Sequence, residues 1–178
     1  LCLSLLLLLS ACASGGSTAK NAEKAAAALA ESMLNAPSEP MQRFGSILES
    51  GEESALTAYK DAWEDEKALC SENGFTSFIE EVLTMQLMAD EMNETVKVTA
   101  VKTEPYEEKD RVVRFTADVT VNDTENMTVS GKCQFDEDGK VSFIELDTDE
   151  LEMTLIANDN ADPTQKPPAN GNAITLNE

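Results

Sequence analysis

Val113-Arg114-Phe115-Thr116-Ala117-Asp118-Val119-Thr120-Val121 is the stretch on which the fold turns. Apolar and polar residues alternate strictly along it. A period of two sends the apolar set to one face of a β-strand and the polar set to the other. The same period runs on both sides of it. Val96, Val98 and Ala100 alternate with Thr95, Lys97 and Thr99 upstream. Met127, Val129, Gly131, Cys133 and Phe135 alternate with Thr128, Ser130, Lys132 and Gln134 downstream, and Val141 and Phe143 begin a fourth strand. The connections are short: an acidic one over Glu104 to Asp110, and breaker-rich turns over Asn122 to Asn126 and Asp136 to Gly139. Sequential strands joined this closely must be antiparallel, with one face packed and one wet. The last hairpin is expected to turn through Glu137-Asp138-Gly139, with Gly139 left-handed. That register sets Phe135 opposite Val141 and Cys133 opposite Phe143.

Upstream of the strands the period is helical. Asn21 to Asn35 carries Ala22, Ala26, Leu29 and Met33 at helical spacing, with Ser17 or Thr18 as cap and Pro37 and Pro40 as stops. Met41 to Ser50 reads as a second helix, with Phe44, Ile47 and Leu48 on one face and Gly51 as its end. A third runs from Glu52 to about Ser71, with Leu56, Tyr59, Trp63 and Cys70 on one stripe. Asn73-Gly74 reads as a break, and Ser77 with Glu80 as the capping box of a fourth helix carrying Phe78, Ile79, Val82, Leu83, Met85, Leu87 and Met88. Helices come first and strands second. The expected fold is therefore α+β, with N-terminal helices packed on one face of a four-stranded antiparallel sheet. The domain is expected to cover residues 20–157. Residues 158–178 hold almost nothing apolar before Ile174 and read as a disordered tail.

The chain opens differently. Leu1 to Leu9 is apolar apart from Cys2 and Ser4 and is too short for a membrane span, which needs ~20 apolar residues. It has the length of a secretory apolar region, and without a basic start or initiator Met it reads as cut at its N-terminus. The run ends in Leu9-Ser10-Ala11-Cys12, which resembles the lipobox of bacterial lipoproteins. The resemblance implies that residues 1–11 are a signal peptide, that Cys12 receives lipid, and that cleavage leaves Cys12 as the N-terminus. Residues 12–19, rich in Gly and Ser, would then be a flexible tether. The expected partner is a membrane, held through Cys12 from the extracytoplasmic side of the cell membrane.

Composition removes several functions. The formal net charge is −21, and such a chain repels nucleic acid and anionic head groups. Histidine is absent from the sequence. That excludes His-based nucleophile pairs and most zinc and iron sites. The inward positions of the second and third strands include no carboxylate, Tyr or His, so no catalytic residue and no cofactor is expected. Gln134 to Glu145 resembles a calcium-binding loop at Asp136, Asp138, Gly139, Val141 and Glu145. Its first place is Gln134 and strands rather than helices flank it, so a hairpin turn is the preferred reading. Cys70 and Cys133 are expected to share one interior and to pair in a disulfide, with Gly131 admitting a helix close to the sheet.

Lipobox, tether, helices and then an antiparallel sheet are together similar to small lipoproteins with NTF2-like or cystatin-like folds, over Ala19 to Ala157. The resemblance implies a sheet partly wrapped by helices, which in some family members holds an acid/base pocket and in others only binds or assembles. The expectation is a non-catalytic binding or interaction domain; the alternative is an NTF2-like isomerase or dehydratase. A filled interior favours the first, and a ligand-sized cavity with a convergent acid favours the second.

Overall fold

A computed structural model describes residues 15–50, 54–107 and 109–161. Helices α1 (Gly15–Leu34), α2 (Glu39–Ser50), α3 (Ala55–Asp61), α4 (Glu64–Leu69) and α5 (Glu72–Glu91) precede strands β1 (Val96–Pro105), β2 (Val112–Val121), β3 (Glu125–Phe135) and β4 (Val141–Asp147), and α6 (Asp149–Ala161) follows. The strands form one antiparallel sheet in the order β1-β2-β3-β4. The fold is α+β, and the helices pack on one face of the sheet. Val113, Phe115, Ala117, Val119, Val121, Val129, Cys133 and Phe135 are buried under them, while Arg114, Ser130 and Gln134 are exposed on the other side.

Several local expectations are corrected. The first helix begins at Gly15 rather than Asn21, so Ser17 and Thr18 lie inside it and the end of the supposed tether is helical. The third helix is two: the chain turns at Ala62 and Trp63, which leaves Leu56 46 % exposed and buries Ala55 with Tyr59. The fourth starts at Glu72 and runs through Asn73-Gly74 without a break. Its cap is Ser71, whose hydroxyl accepts from the Gly74 N–H at 3.2 Å. Gly74 is needed for close approach. A Cβ there would lie 1.8 Å from the Val141 carbonyl oxygen, which accepts from the Ser71 N–H at 2.8 Å. Ser77 is instead a clasp on β4: its hydroxyl donates to Ile144 O at 3.0 Å and accepts from Ile144 N–H at 3.2 Å.

Two bulges correct the strand pattern. One between Val98 and Ala100 turns Ala100 outward and Val101 inward. The other falls next to Phe135. Phe135 stands opposite Val141 as expected, and Gly139 has a φ of 75°, but Cys133 stands opposite Ile144 and not Phe143. Ile144 is therefore buried and Phe143 is 46 % exposed. An extra residue flips the alternation, because side-chain facing has a strict period of two. Gly131 is not a helix contact either. The Phe115 ring from the neighbouring strand lies over it, where a Cβ would meet the ring 2.3 Å away.

α6 was not expected, and it continues through Ala161, past the boundary read at Ala157. Leu151 and Leu155 pack with Met85, Val119, Val121 and Val129 in the second of two core clusters. Both sheet edges are blunted, which matters because an open edge invites further pairing. Ala36 bridges Val96, and the Asn35 side chain accepts from Val98 N–H at 2.9 Å on the β1 side. Cys70 and Ser77 cover β4. Gln86, fully buried, ties the α1–α2 connection to α5 by accepting from Ser38 N–H at 2.5 Å and donating to Asn35 O at 2.8 Å.

Candidate functional site

The space between sheet and helices is filled. Tyr59, Phe78, Phe115, Leu29, Met33, Met85, Ile144, Leu151 and Leu155 are all fully buried in it. Its aromatic part is a chain of ring contacts from Phe44 to Tyr59 (5.2 Å), Trp63 (5.9 Å) and Phe78 (5.4 Å). Such offset and edge-on contacts are those that aromatic packing favours. Among the described residues the Tyr59 hydroxyl and Trp63 Nε1 are buried without a well-formed hydrogen bond. Burial pushes the Tyr59 hydroxyl up to about 12, against a smaller pull from the neighbouring Trp63, which removes it from proton transfer near neutrality.

The residues singled out from sequence are distributed as follows. Leu9, Ser10, Ala11 and Cys12 lie outside the described residues. Cys70 and Cys133 are buried free thiols in one core cluster. Burial, then the negative charge of Glu66, pushes the Cys70 thiol up to about 12, against the pull of Lys140. Burial, then Cys70, pushes Cys133 up to about 12. Thiols held so firmly protonated are poor nucleophiles. Asp136, Asp138 and Glu145 do not converge on one point. The Asp136 carboxylate accepts from the N–H groups of Asp138 (3.0 Å) and Lys140 (2.8 Å), which makes it the cap of the hairpin turn. Glu145 pairs with Lys132 at 2.8 Å. Among the described residues no group of three or more Cys, Asp and Glu side chains is placed to hold a metal ion.

Among the described residues, Glu81 is the carboxyl whose acidity is visibly shifted. Burial raises it, a backbone hydrogen bond from Leu146 lowers it, and Glu145 and Glu80 raise it again. That bond places the half-buried Glu81 against the β4 backbone.

Polar chemistry collects instead on the uncovered face of the sheet. The strand register aligns two rows across it. Glu104 stands opposite Arg114, Arg114 opposite Lys132 and Lys132 opposite Glu145. Beside them, Lys102 stands opposite Thr116, Thr116 opposite Ser130 and Ser130 opposite Asp147. Glu104, Arg114, Thr116, Ser130, Lys132, Glu145 and Asp147 rim a depression of about 320 Å3 over Phe115 and Gly131. The small side chains of Thr116 and Ser130 leave that space. The Arg114 guanidinium sits over the Tyr106 ring, 3.7 Å from its centre. A second depression of about 470 Å3 lies along α2 and is lined by Glu39, Gln42, Arg43, Ser46 and Ile47. There Arg43 is occupied by Glu39 at 2.7 Å.

Sequence reading missed the open-face rows because alternation gives a side chain's face and not its cross-strand neighbour. The polar halves of each strand, once paired in register, were the signal. Compared with known proteins, the chain has no match among family models, curated proteins or solved structures. Among the described residues no helix is long and apolar enough to cross a membrane.

Proposed function

We infer that the chain is a lipoprotein, anchored through Cys12 to the extracytoplasmic side of a cell membrane, whose α+β domain binds a partner or ligand without catalysing a reaction. The anchor rests on Leu9-Ser10-Ala11-Cys12 after an apolar run. The binding reading rests on one observation: the interior is occupied by side chains, so recognition falls to the outer surface, where the uncovered sheet face carries the polar depression. An NTF2-like enzyme would need a cleft between sheet and helices with a polar group aimed into it. Phe78, Phe115, Met33 and Met85 fill that position.

Labelling cells with a palmitate analogue tests the anchor. Label should enter the wild-type chain and be absent from Cys12→Ala, which should also leave the membrane fraction. Persistent label on Cys12→Ala would refute it. For the binding surface, a photo-crosslinking residue at Thr116 should give adducts on cells, and one at Lys60, on the helical side, should not. Adducts at Lys60 alone, or at neither position, would overturn the surface assignment.

A further inference from the structure

We propose that the depression on the open sheet face binds a short zwitterionic peptide, its carboxylate on Arg114 and its ammonium group on Asp147. This deepens the binding reading above and rests on it.

Among the described residues, Arg114, Glu104 and Asp147 make no ion pair, although charges of both signs surround them. Lys132 is committed to Glu145 at 2.8 Å, and Lys102 reaches Asp118 at 3.4 Å. Arg114 thus presents a planar fork of donors, held against Tyr106, at the rim of a space that a ligand can enter. Guanidinium in that state matches a carboxylate, which it engages through two parallel hydrogen bonds. The hydroxyls of Thr116 and Ser130 lie beside it without a hydrogen-bond partner among the described residues, and they can donate to the same anion or to a peptide carbonyl.

The ligand's second charge follows from the carboxylates on the rim. Glu104, Glu145 and Asp147 would repel a plain anion, and so would the field of a chain carrying −21. A zwitterion meets no net repulsion and gives the unpaired carboxylate of Asp147 a partner. Spacing sets its length. Thr116, Ser130 and Asp147 stand opposite one another on three successive strands. Asp147 is therefore two strand spacings, ~10 Å, across from Thr116, and Arg114 stands two residues further along that strand, so the Arg114 and Asp147 Cα atoms are ~12 Å apart and their side chains close the difference. An extended peptide advances ~3.4 Å per residue, so the terminal charges of a tripeptide span that distance and those of a free amino acid do not.

Titration of the full-length protein with trialanine, followed by calorimetry and amide NMR shifts, tests this. Trialanine should bind, with shifts centred on Thr116 and Ser130. Arg114→Gln and Asp147→Asn should each weaken it roughly tenfold or more, the scale of losing one charged partner. N-acetyl-trialanine and trialanine amide should lose a similar factor, and free alanine should not bind measurably. Both substitutions are at exposed positions, and unchanged thermal midpoints would show that the fold survives them. Equal affinity for acetylated and free peptide would overturn the role of Asp147, and equal affinity in Arg114→Gln would overturn the site. If trialanine fails while the Thr116 crosslinker still captures material on cells, the ligand class is wrong and the binding surface stands.

Discussion

Gly74→Ala sets two physical effects against each other, and the structure decides the sign. In a helix interior, Ala is favoured over Gly by up to about 1 kcal/mol. Reasoning from the helix alone predicts stabilisation. At Gly74, however, the added Cβ would fall 1.8 Å from the Val141 oxygen and 2.6 Å from its carbonyl carbon, both backbone atoms of β4. Ordinary contact needs well over 3 Å, so α5 must move off the strand by more than an ångström. Overpacking of this kind costs roughly 1–3 kcal/mol. The shift also strains the bond from Ser71 N–H to Val141 O at 2.8 Å, worth about 1 kcal/mol. The net expectation is a loss of about 1–3 kcal/mol, or a thermal midpoint lower by roughly 2–12 °C for a chain of this size. Gly45, in α2, is the internal control: nothing lies within 4 Å of its would-be Cβ, so Gly45→Ala should stabilise by about 0.5–1 kcal/mol. Urea and thermal unfolding followed by circular dichroism measure both. A Gly74→Ala protein as stable as the wild type would mean that α5 does not cross β4 at this point, and the packing argument would fail.

Gln86→Leu should destabilise by about 2–5 kcal/mol, because Ser38 N–H and Asn35 O would both lose their partner in the interior; urea unfolding that shows a smaller loss would mean that water reaches them. Ser77→Ala removes both bonds to Ile144 and should cost about 1–2 kcal/mol, read as faster hydrogen exchange at Ile144 N–H. Tyr59→Phe should be nearly neutral by thermal melting, since among the described residues the hydroxyl it removes is buried without a well-formed hydrogen bond. Alkaline pH should weaken the fold. Tyr59, Cys70 and Cys133 ionise near 12 when folded but near 10.0, 9.0 and 9.0 when unfolded. Below about pH 8 both states hold these protons and the contribution of these three groups is flat in pH. Above it the unfolded chain loses them first, so the midpoint should fall steadily toward pH 12. A midpoint unchanged between pH 8 and 11 would contradict the burial of these groups.

Much of the fold follows from local periodicity, which one segment carries alone. The alternation over Val113 to Val121 suffices for a strand with one dry face, short connections force the antiparallel meander, and Glu137-Asp138-Gly139 suffices for the turn with Gly139 at positive φ. Segments in contact decided the rest. The bulges beside Val98 and Gln134 depend on a strand and its partner together, so Ala100 and Phe143 point outward against their local pattern. Gly74 looks like a breaker until β4 lies across it, and Ser77 looks like a cap until Ile144 is beside it. α6 has Leu151 and Leu155 buried but Met153 and Ile156 exposed, a stripe too thin to register without the sheet it covers. The same holds for the candidate site. Arg114, Lys132, Glu145 and Asp147 are unremarkable surface charges in sequence. Register between strands makes them neighbours, and register is a property of pairs.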